Sequence, residues 1–230
     1  MLPSIIEAQY NRVILFVGIF ALICGLVTSG FAQEPEPMGS VQASDMFVFG
    51  DMSTALNGAA ILHTMPNRID ATIHTSGLDP HAAYTIWAII FNQPANCTTE
   101  SMILPGVMCS GADLSLTPNL AEASAIHIGG FIATGDGTAN VRVTLNSGTL
   151  PMGTDVLWGT GGINDNGVNP GLRPDHGMIA EVHFVLRTHG PVLTGQVAEQ
   201  IGTFNGGCSP GICANQQAVA FPPAMAMGQP

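Results

Sequence analysis

Glu181-Val-His-Phe-Val-Leu-Arg-Thr-His-Gly-Pro191 is the stretch from which the fold is read. At the two-residue period of a strand, Val182, Phe184 and Leu186 share one face. Glu181, His183, Arg187 and His189 share the other, with Val185 the one apolar residue among them. The first face predicts a core. The second is a row of ionisable groups in a chain that has few, and it is the first place to expect a binding surface.

Working outward, further strands are expected at 46–50, 59–63, 68–75, 83–91, 125–132, 139–145, 155–158 and 180–188, with another near 219–221. Segment 83–91 is apolar at both parities, which predicts a strand covered on both faces. Thr134-Gly135-Asp136-Gly137-Thr138 carries the Asp-Gly signal of a tight hairpin and predicts that 125–132 and 139–145 are antiparallel neighbours. Only 119–124 has the composition for a turn of helix. Many short strands with no long helix predict an all-β fold: a single antiparallel β-sandwich with long disulfide-clipped loops.

Residues 13–27 are an unbroken run of apolar residues and glycine, short for a membrane span and suited to a secretory signal. Cleavage is expected before Gln33. The expected organisation is a signal peptide at 1–32, a spacer at 33–44, the sandwich at 45–205 and a disulfide-clipped tail at 206–230. That places the protein outside the cytoplasm, as a secreted, periplasmic or cell-surface domain. Cys97, Cys109, Cys208 and Cys213 then read as disulfides. Sequence proximity favours Cys97–Cys109 and Cys208–Cys213 among three connectivities.

Only 9% of residues are charged, there is no lysine, and the net charge is -11. Nucleic acid and anionic membrane surfaces both demand cationic protein, so neither is an expected partner. No membrane insertion is expected once the signal is removed. An extracellular polymer or protein suits the weakly charged surface.

Several segments together resemble a group of uncharacterised secreted bacterial and archaeal β-sandwich proteins. They are Leu78-Asp79-Pro80 with Ala83-Tyr84-Thr85-Ile86-Trp87, Phe91-Asn92-Gln93-Pro94-Ala95-Asn96-Cys97, Asp136-Gly137-Thr138-Ala139-Asn140-Val141, residues 180–191, and Thr203-Phe204-Asn205-Gly206-Gly207-Cys208. The resemblance implies an exported β-sandwich and no particular activity. A weaker likeness is to chordin-type domains and their superoxide-dismutase-like relatives. The dismutase metal site begins with a His-x-His pair, whereas Ile126-His127-Ile128 offers one histidine.

The seven histidines are either hydrogen-bonded groups on a polar sheet face or ligands for copper or zinc. His183 and His189 lie about 20 Å apart on a straight strand, so each would need partners from other strands. His74, His127 and His183 form the candidate metal set. Glu181, His183, Arg187 and His189 form the candidate binding set. Asn164-Asp165-Asn166-Gly167 resembles half of a calcium loop without its terminal glutamate, and an ordinary Asn/Gly turn is the preferred reading. No Gly-x-Ser-x-Gly motif and no phosphate-cradling glycine loop occurs. The function expected is that of a non-catalytic binding or structural module with no required cofactor. The alternative is a copper- or zinc-dependent redox or hydrolytic enzyme.

Overall fold

A computed structural model describes residues 39–98, 106–208 and 213–225. The signal segment, its cleavage point and the first half of the 33–44 spacer lie outside the described residues.

The described residues form nine strands: β1 (Ser40–Val48), β2 (Asp51–Met65), β3 (Arg68–Thr75), β4 (Ala82–Phe91), β5 (Ala123–Ile132), β6 (Ala139–Asn146), β7 (Val156–Trp158), β8 (Glu181–Pro191) and β9 (Ala214–Phe221). All pair antiparallel in the order β6-β3-β2-β1-β9-β8-β4-β5-β7. The all-β expectation therefore holds. Its two facing layers are parts of one continuous sheet that curls on itself as a half-barrel. Leu62, Ile69 and Ile73 from one half meet Tyr84, Ile86, Phe184 and Leu186 from the other in a single core.

β4 is covered on both sides, as its sequence predicts. Tyr84, Ile86, Ala88 and Ile90 enter the core. On the outer face Trp87 packs with Val185 and Ala218, while Phe91 packs with Cys109, Leu114 and Ala125. β8 follows the alternation read from its sequence, with Val182, Phe184 and Leu186 inward.

Three expectations are corrected. First, the Thr134–Thr138 turn forms, with Thr138 N donating to Thr134 Oγ1 at 2.9 Å, but the strands it joins do not pair. β6 pairs along its whole length with β3, from Ala139 opposite Thr75 to Asn146 opposite Arg68. β5 pairs with β4 and β7. The turn instead spans the seam where the curled sheet nearly closes. There a Cβ on Gly129 would lie 3.3 Å from Val143 Cγ1.

Second, the 45–205 boundary is too narrow. β1 starts at Ser40, and β9 lies inside the sheet between β1 and β8 rather than in a tail. Asn215, Gln216 and Gln217 give β9 a loop-like composition, but their amides find partners. Gln217 Nε2 donates to Ser76 O at 2.8 Å and Gln216 Nε2 to Asp79 at 2.8 Å. Val219 and Phe221 then fill the core.

Third, residues 119–124 are a turn leading into β5, not helix. Asn119 accepts from Ala123 N at 3.0 Å and donates to Ala123 O at 3.1 Å, which occupies the backbone groups a helix would need. A short helix, α1 (Val197–Gly202), forms elsewhere. It sits against β5 so closely that a Cβ on Gly130 would lie 2.7 Å from Ile201 Cβ.

Phe184 is 1% exposed and touches Phe221 at 6.2 Å between ring centroids. Phe184→Ala is expected to destabilise the protein by about 3–5 kcal/mol in urea unfolding. His74→Ala, on the exposed outer face of β3, should shift the same midpoint by less than about 0.5 kcal/mol.

Candidate functional site

The outer face of β8 is where the predicted residues meet. Glu181 is fully buried. Its carboxylate accepts from Met108 N at 2.7 Å and from Cys109 N at 2.9 Å, and His183 Nε2 lies 2.8 Å from Oε1. The side chain thus clamps the 107–110 loop onto the sheet. The His183 ring leans on Phe91, with centroids 5.1 Å apart.

At the other end of the row, Arg187 and His189 hold a second loop. Arg187 Nε donates to Phe204 O at 3.0 Å, its Nη1 to Asn215 Oδ1 at 3.2 Å, and its guanidinium carbon lies 4.1 Å from the Phe204 ring centroid. Such a cation–π contact holds ring and cation together. His189 Nδ1 lies 2.8 Å from Gly206 O, and its Nε2 lies 3.1 Å from Thr85 Oγ1. Thr85 Oγ1 in turn accepts from Trp87 Nε1 at 2.9 Å. The chain is satisfied throughout when the neutral imidazole donates from Nδ1 and Thr85 donates to Nε2.

Between the two clamps lies a cleft of about 380 Å³. Trp87, Ile89, Val185 and Ala218 form its floor, Cys109 and Leu114 one wall, Leu157 and Trp158 another, and Phe204 with Phe49 the far rim. His183 also lines it. Val185, the apolar interruption of the polar row, is therefore a floor residue. The four candidate binding residues are brought to one face, with His183 in the cleft and the other three supporting its walls. A larger hollow among the 148–151 and 167–174 loops is lined by several Pro and Gly residues together with the Glu122–Arg173 ion pair, and contains none of the candidates.

The candidate metal set is not brought together. His74 lies on β3, four strands from β8 in the sheet order, a path of about 19 Å along the curled sheet at ~4.8 Å per strand. His127 lies two strands from His183, with Trp87 on the strand between. Its Nε2 is engaged with Ile201 O at 3.0 Å. Among the described residues, the one grouping with ligand geometry is His189, Cys208 and Cys213, within 4.8 Å of one another. Both sulfurs there belong to a disulfide and His189 Nδ1 faces Gly206 O.

Cys97 pairs with Cys109 and Cys208 with Cys213, with Cα separations of 5.2 and 5.4 Å. In the 164–169 loop, Asp165 Oδ1 accepts from Gly167 N at 2.8 Å and Asn166 Oδ1 from Val168 N at 3.2 Å. Those oxygens serve a turn, as Asn and Asp side chains commonly do.

The aromatic lining was not singled out in the sequence. Its signal is that both tryptophans of the chain, Trp87 and Trp158, line one cleft. No family model, curated protein or solved structure matches the chain.

Burial lowers the His189 pKa, and the charges of Arg187 and His127 push the same way against the Gly206 hydrogen bond. The unfolded chain, with histidine near 6.5, then binds the proton more readily than the fold does. This histidine's contribution to stability is complete above pH ~6.5 and is lost as pH falls through that value toward the lowered folded pKa. Urea midpoints are expected to drop between pH 7.5 and 5.5, and the drop should shrink in His189→Asn. An unchanged pH slope in that variant would assign the effect elsewhere.

Proposed function

We propose that this is an exported, non-catalytic binding protein that takes a small, largely apolar molecule into the cleft over β4, β8 and β9. The observation that carries the reading is the cleft itself. Aromatic and aliphatic side chains surround it, few polar groups enter it, and its size lies within the range of small-molecule sites. Its walls are held by buried polar contacts on both sides, so the shape exists before a ligand arrives.

Export is supported by the apolar segment at 13–27 and by two disulfides, bonds that persist in oxidising compartments. No helix among the described residues is long and apolar enough to cross a membrane. The metalloenzyme alternative finds no ligand set in His74, His127 and His183, whose positions on β3, β5 and β8 separate them.

Because both tryptophans line the cleft, emission excited where tyrosine does not absorb reports on it. Titration with uncharged one- and two-ring aromatic compounds should give a saturable change in emission. Phe204→Ala removes the far rim and should weaken binding about tenfold, corresponding to ~1.4 kcal/mol. A flat response from every compound up to its solubility limit would leave the cleft without a binding role.

A further inference from the structure

One histidine lining the cleft has its tautomer set from behind. Glu181 accepts from Met108 N through one carboxyl oxygen and from Cys109 N through the other. Both oxygens being acceptors, the contact with His183 is one the imidazole donates, so Nε2 carries the ring proton. In the neutral ring the other nitrogen, Nδ1, then bears a lone pair. No hydrogen bond within the described residues reaches that nitrogen, and the side chain is 14% exposed where it lines the cleft. His183 thus presents an oriented acceptor to whatever enters.

We infer that the ligand is an uncharged aromatic hydrogen-bond donor of the phenol class, whose hydroxyl donates to His183 Nδ1 while its ring lies among Trp87, Trp158 and Phe204. The inference rests on the cleft being a binding site and adds the identity of what it binds. The volume, about 380 Å³, is that of roughly a dozen waters at ~30 Å³ each, which suits a molecule of one or two rings.

A sugar of the same size fits poorly. It would bring several hydroxyls, and each one buried without a partner costs about 1–3 kcal/mol. Of the other polar side chains at the cleft, Asn215 Oδ1 already accepts from Arg187 and Ser110 Oγ from Ala112 N at 3.1 Å. A plain hydrocarbon would fill the space but leave the His183 acceptor dry and unsatisfied. One donor on an aromatic body matches the acceptor that His183 offers.

A matched pair of compounds tests this. 2-Naphthol and 2-methoxynaphthalene share a ring system and differ in the donor. Isothermal titration to the exported protein is expected to show 2-naphthol binding about tenfold more tightly, the loss for the ether reflecting one acceptor left unpaired. His183→Phe should bring the ratio to about one, since a ring packed against Phe91 is kept and the acceptor removed. His183→Gln can donate its amide to Glu181 and offer its oxygen to the ligand, so it should restore part of the preference. Equal affinities for the two compounds in the unaltered protein would overturn the inference while leaving the cleft a binding site. Binding of neither compound would remove both. A ratio that persists in His183→Phe would place the acceptor elsewhere. The comparison of the two ligands on the unaltered protein needs no variant, so it decides the matter even if a substitution impairs folding.

Discussion

A carboxylate with no solvent exposure holds the outer face together. Removing an anion from water costs several kcal/mol, and that cost is offset only when the oxygens are fully hydrogen-bonded. Glu181 meets the condition with two backbone N–H groups and one imidazole. The benefit runs in both directions. The N–H groups of Met108 and Cys109 belong to a loop with no strand neighbour of its own, and such donors need a partner once buried. The Cys97–Cys109 bridge ties the same loop to the end of the Pro94–Asn96 turn, but a covalent bond to Cys97 does not dock the loop on the sheet. Glu181 does that. The first wall of the cleft is therefore an electrostatic consequence of one buried side chain.

The second wall uses the opposite charge. Arg187 sits six residues further along the strand, about 20 Å away at ~3.3 Å per residue. It lies over the Phe204 ring and donates to the backbone carbonyl of the same residue. A rigid strand thus carries an anion at one end and a cation at the other, each spent on a different loop. Neither charge is left facing the space between. That explains how a row of ionisable residues borders a cleft whose floor is apolar. Val185 and its neighbours Trp87 and Ala218 on the adjoining strands supply the floor, and their contact is the small outer cluster.

Much of this was legible in the sequence, because strand parity depends only on alternation. Each expected strand exists, and the two faces of β8 are those its pattern indicates. What failed involved long-range choices. The Asp-Gly turn correctly reverses the chain at 134–138, but hairpin chemistry does not decide which edge a strand joins. β6 matches β3 over eight residue pairs, and that ladder outweighs pairing with its sequence neighbour. β9 was underestimated because Gln216 and Gln217 look like loop residues until Tyr84, Thr75 and Asp79 appear beside them. The candidate site was half visible. Its polar residues stood out by rarity in a weakly charged chain. Its aromatic lining did not, since Trp87, Trp158 and Phe204 come from three separate segments and share no pattern.

The placement of the cleft follows from how the sheet is filled. A curled sheet can offer a cavity inside or a surface outside. Here Tyr84, Phe184, Phe221 and Leu62 occupy the interior, each at most 1% exposed, so the inner side is closed to ligands. Room for a ligand must then be made on the outside, where a sheet face by itself is too flat to enclose anything. Loops have to rise at both margins and be held upright. The ionisable row on β8 performs that task with its ends. His183 differs from its three companions because its partner, Glu181, is buried behind it and not across the cleft. Among the described residues, its second ring nitrogen has no protein partner, whereas both nitrogens of His189 are engaged.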